Sequence, residues 1–475
     1  MKKKKWLMYF MVITIALCTA CGSEAETSDS DATAAPTETT GTQEQDTASP
    51  ETGGVDSDAQ EEEETVALPE EGESISTPEE EMGPTTNEEL FNFVTESWKN
   101  RETEALYEYS SADFHSLMGK EDFTRMFESL SVIGGELLEA TEVETTPYMG
   151  MDVYTSAVKF ENITVDLQLV LKNVEITGLV YQIHFNNTFE VEYENGIVEQ
   201  YFVLENDGYE LNAVYTYLDD GEKHPATLLI AGSGVTDYNE SVGNLAIFQD
   251  IALGLAQRGV NSLRLDKRTL RIEPGTLVGL EEEYFADCRA AIEFLKEQDI
   301  TNIYLLGHSL GGQIAPKLAA DDSEIAGMIL FNSTPRHLAD IACDQYIIQD
   351  ALNKERYMKY AEAAKAVREE TVQGAYYFGM DDYYWSTYNS LDVVADINDA
   401  NIKTLIINST NDAQIFEVDR DEWYANFADH DNVTIHVYDE MSHFGYKIDV
   451  TDNAAFYRKV DFPKELLDEF AVFCE

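Results

Sequence analysis

The hexapeptide Gly307-His308-Ser309-Leu310-Gly311-Gly312 sets a serine in the pattern G-x-S-x-G. It follows the apolar run 303–306, which reads as a strand, and opens 312–318, which reads as a helix. A serine on so tight a strand-to-helix turn is held clear of the sheet, with its hydroxyl over a helix N-terminus. Glycines flank it because the crossing strand and helix leave little room for a Cβ. Ser309 is therefore the expected nucleophile. The Leu310 N–H then faces the negative charge that develops on an attacked carbonyl oxygen. The bland alternative is an ordinary glycine-rich turn, and the strand-turn-helix setting argues against it.

A hydroxyl attacks well only when a base takes its proton and a third group orients that base. Where this turn occurs, the chain order is serine, acid, histidine. Four of the eight histidines follow Ser309, namely His337, His430, His436 and His443. His443 lies just past the strand-like run 433–438, whereas His436 falls inside that run and His430 precedes it, at the opposite sheet edge. Asp412 follows the run 402–407 in the same way and is the expected acid. Asp419 and Asp421 are the alternatives, read as helix-start residues ahead of Trp423. A second oxyanion donor is expected from Gly232-Ser233-Gly234 after the apolar run 226–231, with the Ser233 N–H first and Gly234 next. That loop lacks the length and the lysine of a phosphate cradle.

These groups need a scaffold that delivers several strand ends to one edge. The apolar runs 226–231, 260–265, 303–306, 325–331, 404–407 and 433–437 are interleaved with helical periodicity at 245–257, 281–296 and 312–318. In 281–296, Phe285, Cys288, Ile292 and Leu295 share one side. Buried strands alternating with amphipathic helices mark a mostly parallel sheet covered on both faces, an α/β class. Asn195-Gly196 and Asp207-Gly208 signal hairpins just ahead of it. Upstream, helical patterns at 86–101, 105–109 and 121–130 precede strand-like runs at 152–159, 162–171 and 178–185. That order describes a small α+β domain over 85–186, leaving 187–475 for the catalytic domain.

Ahead of both, Lys2 to Lys5 precede a short apolar stretch and a small-residue exit, the layout of an export signal over 1–21. From 22 to 84 there are 20 acidic residues and no Lys or Arg, so this segment is expected to be a disordered tether. The formal net charge of −60 excludes a nucleic-acid partner, whose phosphates demand the opposite sign. Beyond the export segment Cys288, Cys343 and Cys474 carry neither a disulfide framework nor metal-ligand spacing. No metal or cofactor is expected.

Residues 205–470 resemble the α/β-hydrolase superfamily, specifically secreted bacterial carboxylesterases related to serine aminopeptidase-like hydrolases. The resemblance rests on the serine motif, on Ala231-Gly232-Ser233-Gly234-Val235-Thr236-Asp237 and on Arg264-Leu265-Asp266-Lys267-Arg268-Thr269. Ala231 stands where that family has histidine, and Thr269 where it has glycine. The family's nucleophile, acid and base fall on Ser309, Asp412 and His443. Insertions after the strand at 325 form a cap in this superfamily. The resemblance therefore puts the segment at about 334–400, with the rings of Tyr376, Tyr377, Tyr383, Tyr384 and Trp385, over Ser309 as a substrate wall. Asp266, Lys267 and Arg268 are expected to fix a loop by internal pairing, and Asp237 to anchor the oxyanion loop. Residues 86–185 resemble cystatin-like or NTF2-like accessory domains. Leu17-Cys18-Thr19-Ala20-Cys21-Gly22-Ser23 resembles a lipobox, which implies lipidation of Cys21 and anchoring to the outer face of a bacterial cytoplasmic membrane. The expectation is an α/β-hydrolase fold with a helical aromatic-rich cap, cleaving small or medium carboxylic esters. An aminopeptidase or amidase with the same triad is the alternative, with Asp381 or Asp382 available to grip an amine. A non-catalytic surface binding protein is the third reading.

Overall fold

The computed structural model describes residues 83–475 apart from 142, 149 and 274. The export segment, Cys21 and the acidic tether lie outside the described residues. Nine strands form the main sheet: β1 (Phe189–Glu192), β2 (Ile197–Asn206), β3 (Tyr209–Leu218), β4 (Ala226–Ile230), β5 (Asn261–Leu265), β6 (Ile303–His308), β7 (Ile325–Phe331), β8 (Lys403–Ser409) and β9 (Val433–Tyr438). Their order is β9-β8-β7-β6-β4-β5-β3-β2-β1. From β9 to β5 every neighbour is parallel, and from β5 to β1 every neighbour is antiparallel. The antiparallel arm follows from turn chemistry. Asp207 and Gly208 both adopt positive φ, 51° and 81°, the two-residue turn whose twist matches paired strands.

The central parallel strands β4, β6 and β7 are largely apolar because both faces are covered, whereas β5 carries Asn261, Ser262 and Arg264 and the edge strand β9 carries Thr434 and His436. Side chains alternate with a period of two between two cores. Leu228, Ile230, Leu305, Met328, Leu330 and Ile406 face the helices Ala286–Lys296 and Gly311–Asp321. Leu229, Leu306, Ile329, Phe331, Leu405 and Ile407 face the helices Ile247–Ala256 and Lys464–Cys474. The chain adds β4 and β5 on one side, then crosses back to place β6, β7, β8 and β9 on the other. The reversal falls between β4 and β6, and ligand crevices of open parallel sheets lie at such a point.

The segment before β1 holds helices followed by antiparallel strands. Helices Asn87–Lys99, Ala112–Leu117 and Lys120–Gly134 cover an antiparallel sheet of Leu137–Ala140, Glu144–Tyr148, Met151–Phe160, Ile163–Lys172 and Glu175–Phe185. Thr86 caps the first helix by accepting from the Glu89 N–H, and its Leu90, Phe91, Val94 and Trp98 are buried. The stretch expected as a helix at 105–109 is a 3₁₀ turn, Thr103–Tyr109. Phe185 packs on Phe189, Tyr201 and Tyr238, so this core runs on into the main sheet, and residues 84–475 fall in one compact unit. Cys288, Cys343 and Cys474 are free and buried.

The turn after β6 is the tightest crossing in the fold. A Cβ on Gly311 would overlap the Ile230 carbonyl, and one on Gly307 would overlap the Gly311 backbone. Backbone cannot step aside as a side chain can, so Gly311→Ala should cost about 1–3 kcal/mol of stability or more. It should also remove most turnover. A urea midpoint equal to that of the parent would show that the crossing has room to spare.

Candidate active site

Ser309 directly follows β6 with φ +53°, a left-handed conformation that costs a non-glycine residue about 1–3 kcal/mol. Its N–H is held by the Phe331 carbonyl at 2.9 Å. Residues 303–308 and Leu310 are buried around it, yet Ser309 itself is partly exposed. The strained turn thus lifts one residue out of an otherwise buried run. Leu310 leads directly into the helix Gly311–Asp321. Among the described residues neither the Leu310 N–H nor the Ser233 N–H donates to a protein acceptor. Two donors remain unspent beside the serine's strand end.

The neighbouring strand ends bring in the other groups. His443 Nδ1 lies 2.7 Å from Asp412 Oδ2, and their side chains are buried. A carboxylate only accepts, so Nδ1 carries the proton and Nε2 is left as the basic nitrogen. Asp412 Oδ1 takes the N–H groups of Gln414 at 2.7 Å and Ile415 at 2.9 Å, which fixes the carboxylate on its loop. The His443 carbonyl is pinned by Asn332 Nδ2 at 2.7 Å and His308 Nε2 at 2.9 Å. No hydrogen bond joins Ser309 Oγ to His443 among the described residues. Contacts of this kind tighten when substrate binds.

His308, next to the serine, has a carboxylate oxygen at Nδ1 (Glu240 Oε1, 2.9 Å) and a carbonyl oxygen at Nε2. Both partners only accept, so both nitrogens donate and the ring is an imidazolium. Burial alone would depress its pKa. The Glu240 charge and hydrogen bond, the His443 carbonyl and Asp412 outweigh burial and hold it above the ordinary value. Glu240 Oε1 also accepts the Gly232 N–H at 2.6 Å. A Cβ on Gly232 would lie 3.0 Å from both that oxygen and Ser309 Cβ, so only glycine lets the loop come in this close.

Asp419, the alternative acid, is fully buried elsewhere, accepting from Thr334 Oγ1 at 2.7 Å, the Phe416 N–H at 2.7 Å and Arg336 at 3.1 Å. It organises a helix start, as its position suggests. Asp266, Lys267 and Arg268 pair with Arg271, Glu283 and Asp287 respectively. Asp237 closes its own turn through Asn239 and Ser241, and the reach to the oxyanion loop is made by Glu240 instead. The aromatic wall needs correction. Trp385 has no exposed surface and donates to the Tyr377 carbonyl at 3.1 Å, and Tyr384 is 7% exposed within the same core. Both support the cap from inside, because rings this large are worth more buried than presented. Tyr377 and Tyr383 are partly exposed and Tyr376 is open to solvent. Glu240, Tyr284, His308 and Asn332 were not singled out from sequence. Only His308 carried a signal, its place beside the serine.

A parallel sheet with a switch point beneath a strained serine, and an acid–histidine pair on adjoining strand ends, is the α/β-hydrolase fold. With this site it defines a carboxylesterase-like serine hydrolase. A family model described as "Serine aminopeptidase, S33" matches residues 238–377. Esterase EstD of Thermotoga maritima is 26% identical over 396 residues, covering 81% of this chain and 94% of that protein. Among solved structures, Est1E from Butyrivibrio proteoclasticus is 18% identical with a TM-score of 0.40, covering 58% of this chain and 98% of its own. An esterase of Pyrococcus furiosus, Pf2001, is 14% identical with a TM-score of 0.38, covering 60% and 95%.

The raised pKa of His308 has a defined sign in stability. Its pairing contributes fully below the ordinary imidazole value of about 6.5. The contribution is lost as pH rises through the higher folded value. Melting temperatures of the parent and of His308→Gln should differ most near pH 6 and converge on the alkaline side. A gap that widens above neutrality would contradict a charged His308.

Proposed function

We propose that this chain hydrolyses small or medium carboxylic esters through an acyl-enzyme on Ser309. The observation that carries the reading is the buried 2.7 Å bond between Asp412 and His443, on strand ends of the same sheet edge as the strained serine. His443 Nε2 takes the Ser309 proton as Oγ adds to the ester carbonyl. The oxyanion is held by the Leu310 and Ser233 N–H groups, with Gly234 adjacent, at about 3 kcal/mol per donor. His443 returns the proton to the departing alcohol as the ester C–O bond breaks. A water then loses a proton to His443 and adds to the acyl carbon, and the acid leaves as Ser309 Oγ recovers that proton. The name of the Thermotoga relative, an esterase, supports the same substrate class.

The description of the matching family supports a second reading, an aminopeptidase on the same triad. Gripping a free amine would need a spare cap carboxylate, and the two expected ones are occupied. Asp382 accepts the N–H groups of Gln373 at 2.7 Å and Gly374 at 3.0 Å, and Asp381 caps the Tyr384 N–H at 2.8 Å. That favours the ester. Of the cap rings, Tyr376, Tyr377 and Tyr383 keep surface to offer a substrate. We place the enzyme on the outer face of the cytoplasmic membrane, held by lipid on Cys21.

Ser309→Ala should abolish release of p-nitrophenol from short esters with the circular dichroism spectrum preserved. Asp412→Asn should lose at least a hundredfold in kcat, and Asp419→Asn far less per folded molecule. Persistent turnover in the serine variant, or the reverse ranking of the aspartates, would defeat the assignment. Cys21→Ala should move the protein from the membrane fraction to the medium, and unchanged membrane retention would remove the anchor.

A further inference from the structure

Gly232 is bonded on both sides. Its N–H donates to Glu240 Oε1 at 2.6 Å, and its carbonyl accepts from Lys267 Nζ at 2.9 Å and from the Tyr284 hydroxyl at 2.7 Å. Lys267 spends its other two protons on Glu283 and, at 2.8 Å, on the Tyr284 oxygen, with its ammonium 4.1 Å from the Tyr284 ring centre. Lys267, Tyr284, Glu283 and Glu240 are all buried. Adjacent residues of a helix normally diverge by 100°, yet Glu283 and Tyr284 both reach Lys267. They lie in a π-helical turn, Glu281–Phe285, a local widening common at functional sites.

The orientation of one peptide follows. A trans peptide is planar, and its C=O and N–H point to opposite sides. With the Gly232 carbonyl turned toward Lys267 and Tyr284, the Ser233 N–H is turned away from them, at the point where the loop becomes exposed. Turned over, the same peptide would aim its carbonyl dipole where an oxyanion must form. Two donors on one carbonyl oxygen exclude that orientation, and a neighbouring ammonium polarises the peptide so that its N–H donates more strongly.

We propose that Lys267 and Tyr284 are positioning residues that aim the Ser233 N–H at the oxyanion of acyl transfer. The proposal rests on reading the chain as a serine esterase. The clamp also lies near the cap, because burial and then the Glu283 charge hold the Tyr384 hydroxyl well above its ordinary pKa. The test compares Tyr284→Phe and the charge-balanced double variant Lys267→Met with Glu283→Gln against the parent. Ser309→Ala serves as the blank. Substrate is p-nitrophenyl butyrate and the transition-state probe is an alkyl trifluoromethyl ketone. A positioning role requires kcat to fall about tenfold in Tyr284→Phe and about a hundredfold in the double variant, with KM within twofold. The ketone's inhibition constant should rise by the factor by which kcat/KM falls. Native-like kcat in Tyr284→Phe, or losses confined to KM with ketone affinity intact, would overturn the clamp. If the double variant does not fold, Tyr284→Phe decides alone. Parent turnover no greater than the Ser309→Ala blank would instead overturn the esterase reading itself.

Discussion

Taking a carboxylate and an imidazolium out of water costs several kcal/mol for each ion, and Glu240 and His308 are both buried. Their mutual attraction offsets part of that cost, helped by the further hydrogen bonds that Glu240 Oε1 and His308 make, while Glu240 Oε2 is buried without a partner among the described residues. Glu240 Oε1 receives the Gly232 N–H as well as His308, and His308 spends its second proton on the His443 carbonyl. Three loops that meet nowhere in sequence are fastened by this pair: the one after β4, the one after β6 and the one after β9. The Ser233 donor rides on the first, the hydroxyl and the Leu310 donor on the second, and the base on the third. Losing one partner would strand a buried charge, at about 3–5 kcal/mol, and would free all three loops together.

The skeleton of this site was legible because its parts obey local rules. A positive-φ serine needs small neighbours, so Gly307 and Gly311 announce it. A parallel sheet puts its useful groups at strand exits, so Asp412 and His443 could be chosen over Asp419 and His436. The sheet itself was visible in runs that are apolar without alternation. The buried electrostatics were less legible. Glu240 carries no mark of its own among 91 acidic residues. Its partner is 68 positions away, and only the crossing of the chain between β4 and β6 makes them neighbours. Lys267 was recognised as a pairing residue, but the carbonyl it holds depends on a π-helical turn that periodicity does not reveal.

The cap shows the opposite failure. Ten consecutive residues rich in rings suggested a wall, yet composition does not say which rings turn inward. The helix Asp382–Tyr388 sets Tyr384, Trp385 and Tyr388 into the core. Tyr388 accepts from the Leu338 N–H and donates to Gln313, a residue of the helix behind the serine. Gln313 in turn holds the carbonyls of Thr334 and Arg336 at the root of the cap. The rings moor the cap to the nucleophile's helix, and a change at any of them is felt first as a change in cap position.

Tyr238 has a further consequence. It sits two residues before Glu240 and its ring belongs to the core of the leading α+β segment, against Phe185 and Tyr201. The loop that bears the oxyanion donor is therefore backed by residues encoded before position 187. Severing the chain there would strip the cover from an aromatic face and leave that loop without a floor. The two parts must therefore fit at this face, and a catalytic part grafted from a relative would have to bring its own forerunner with it.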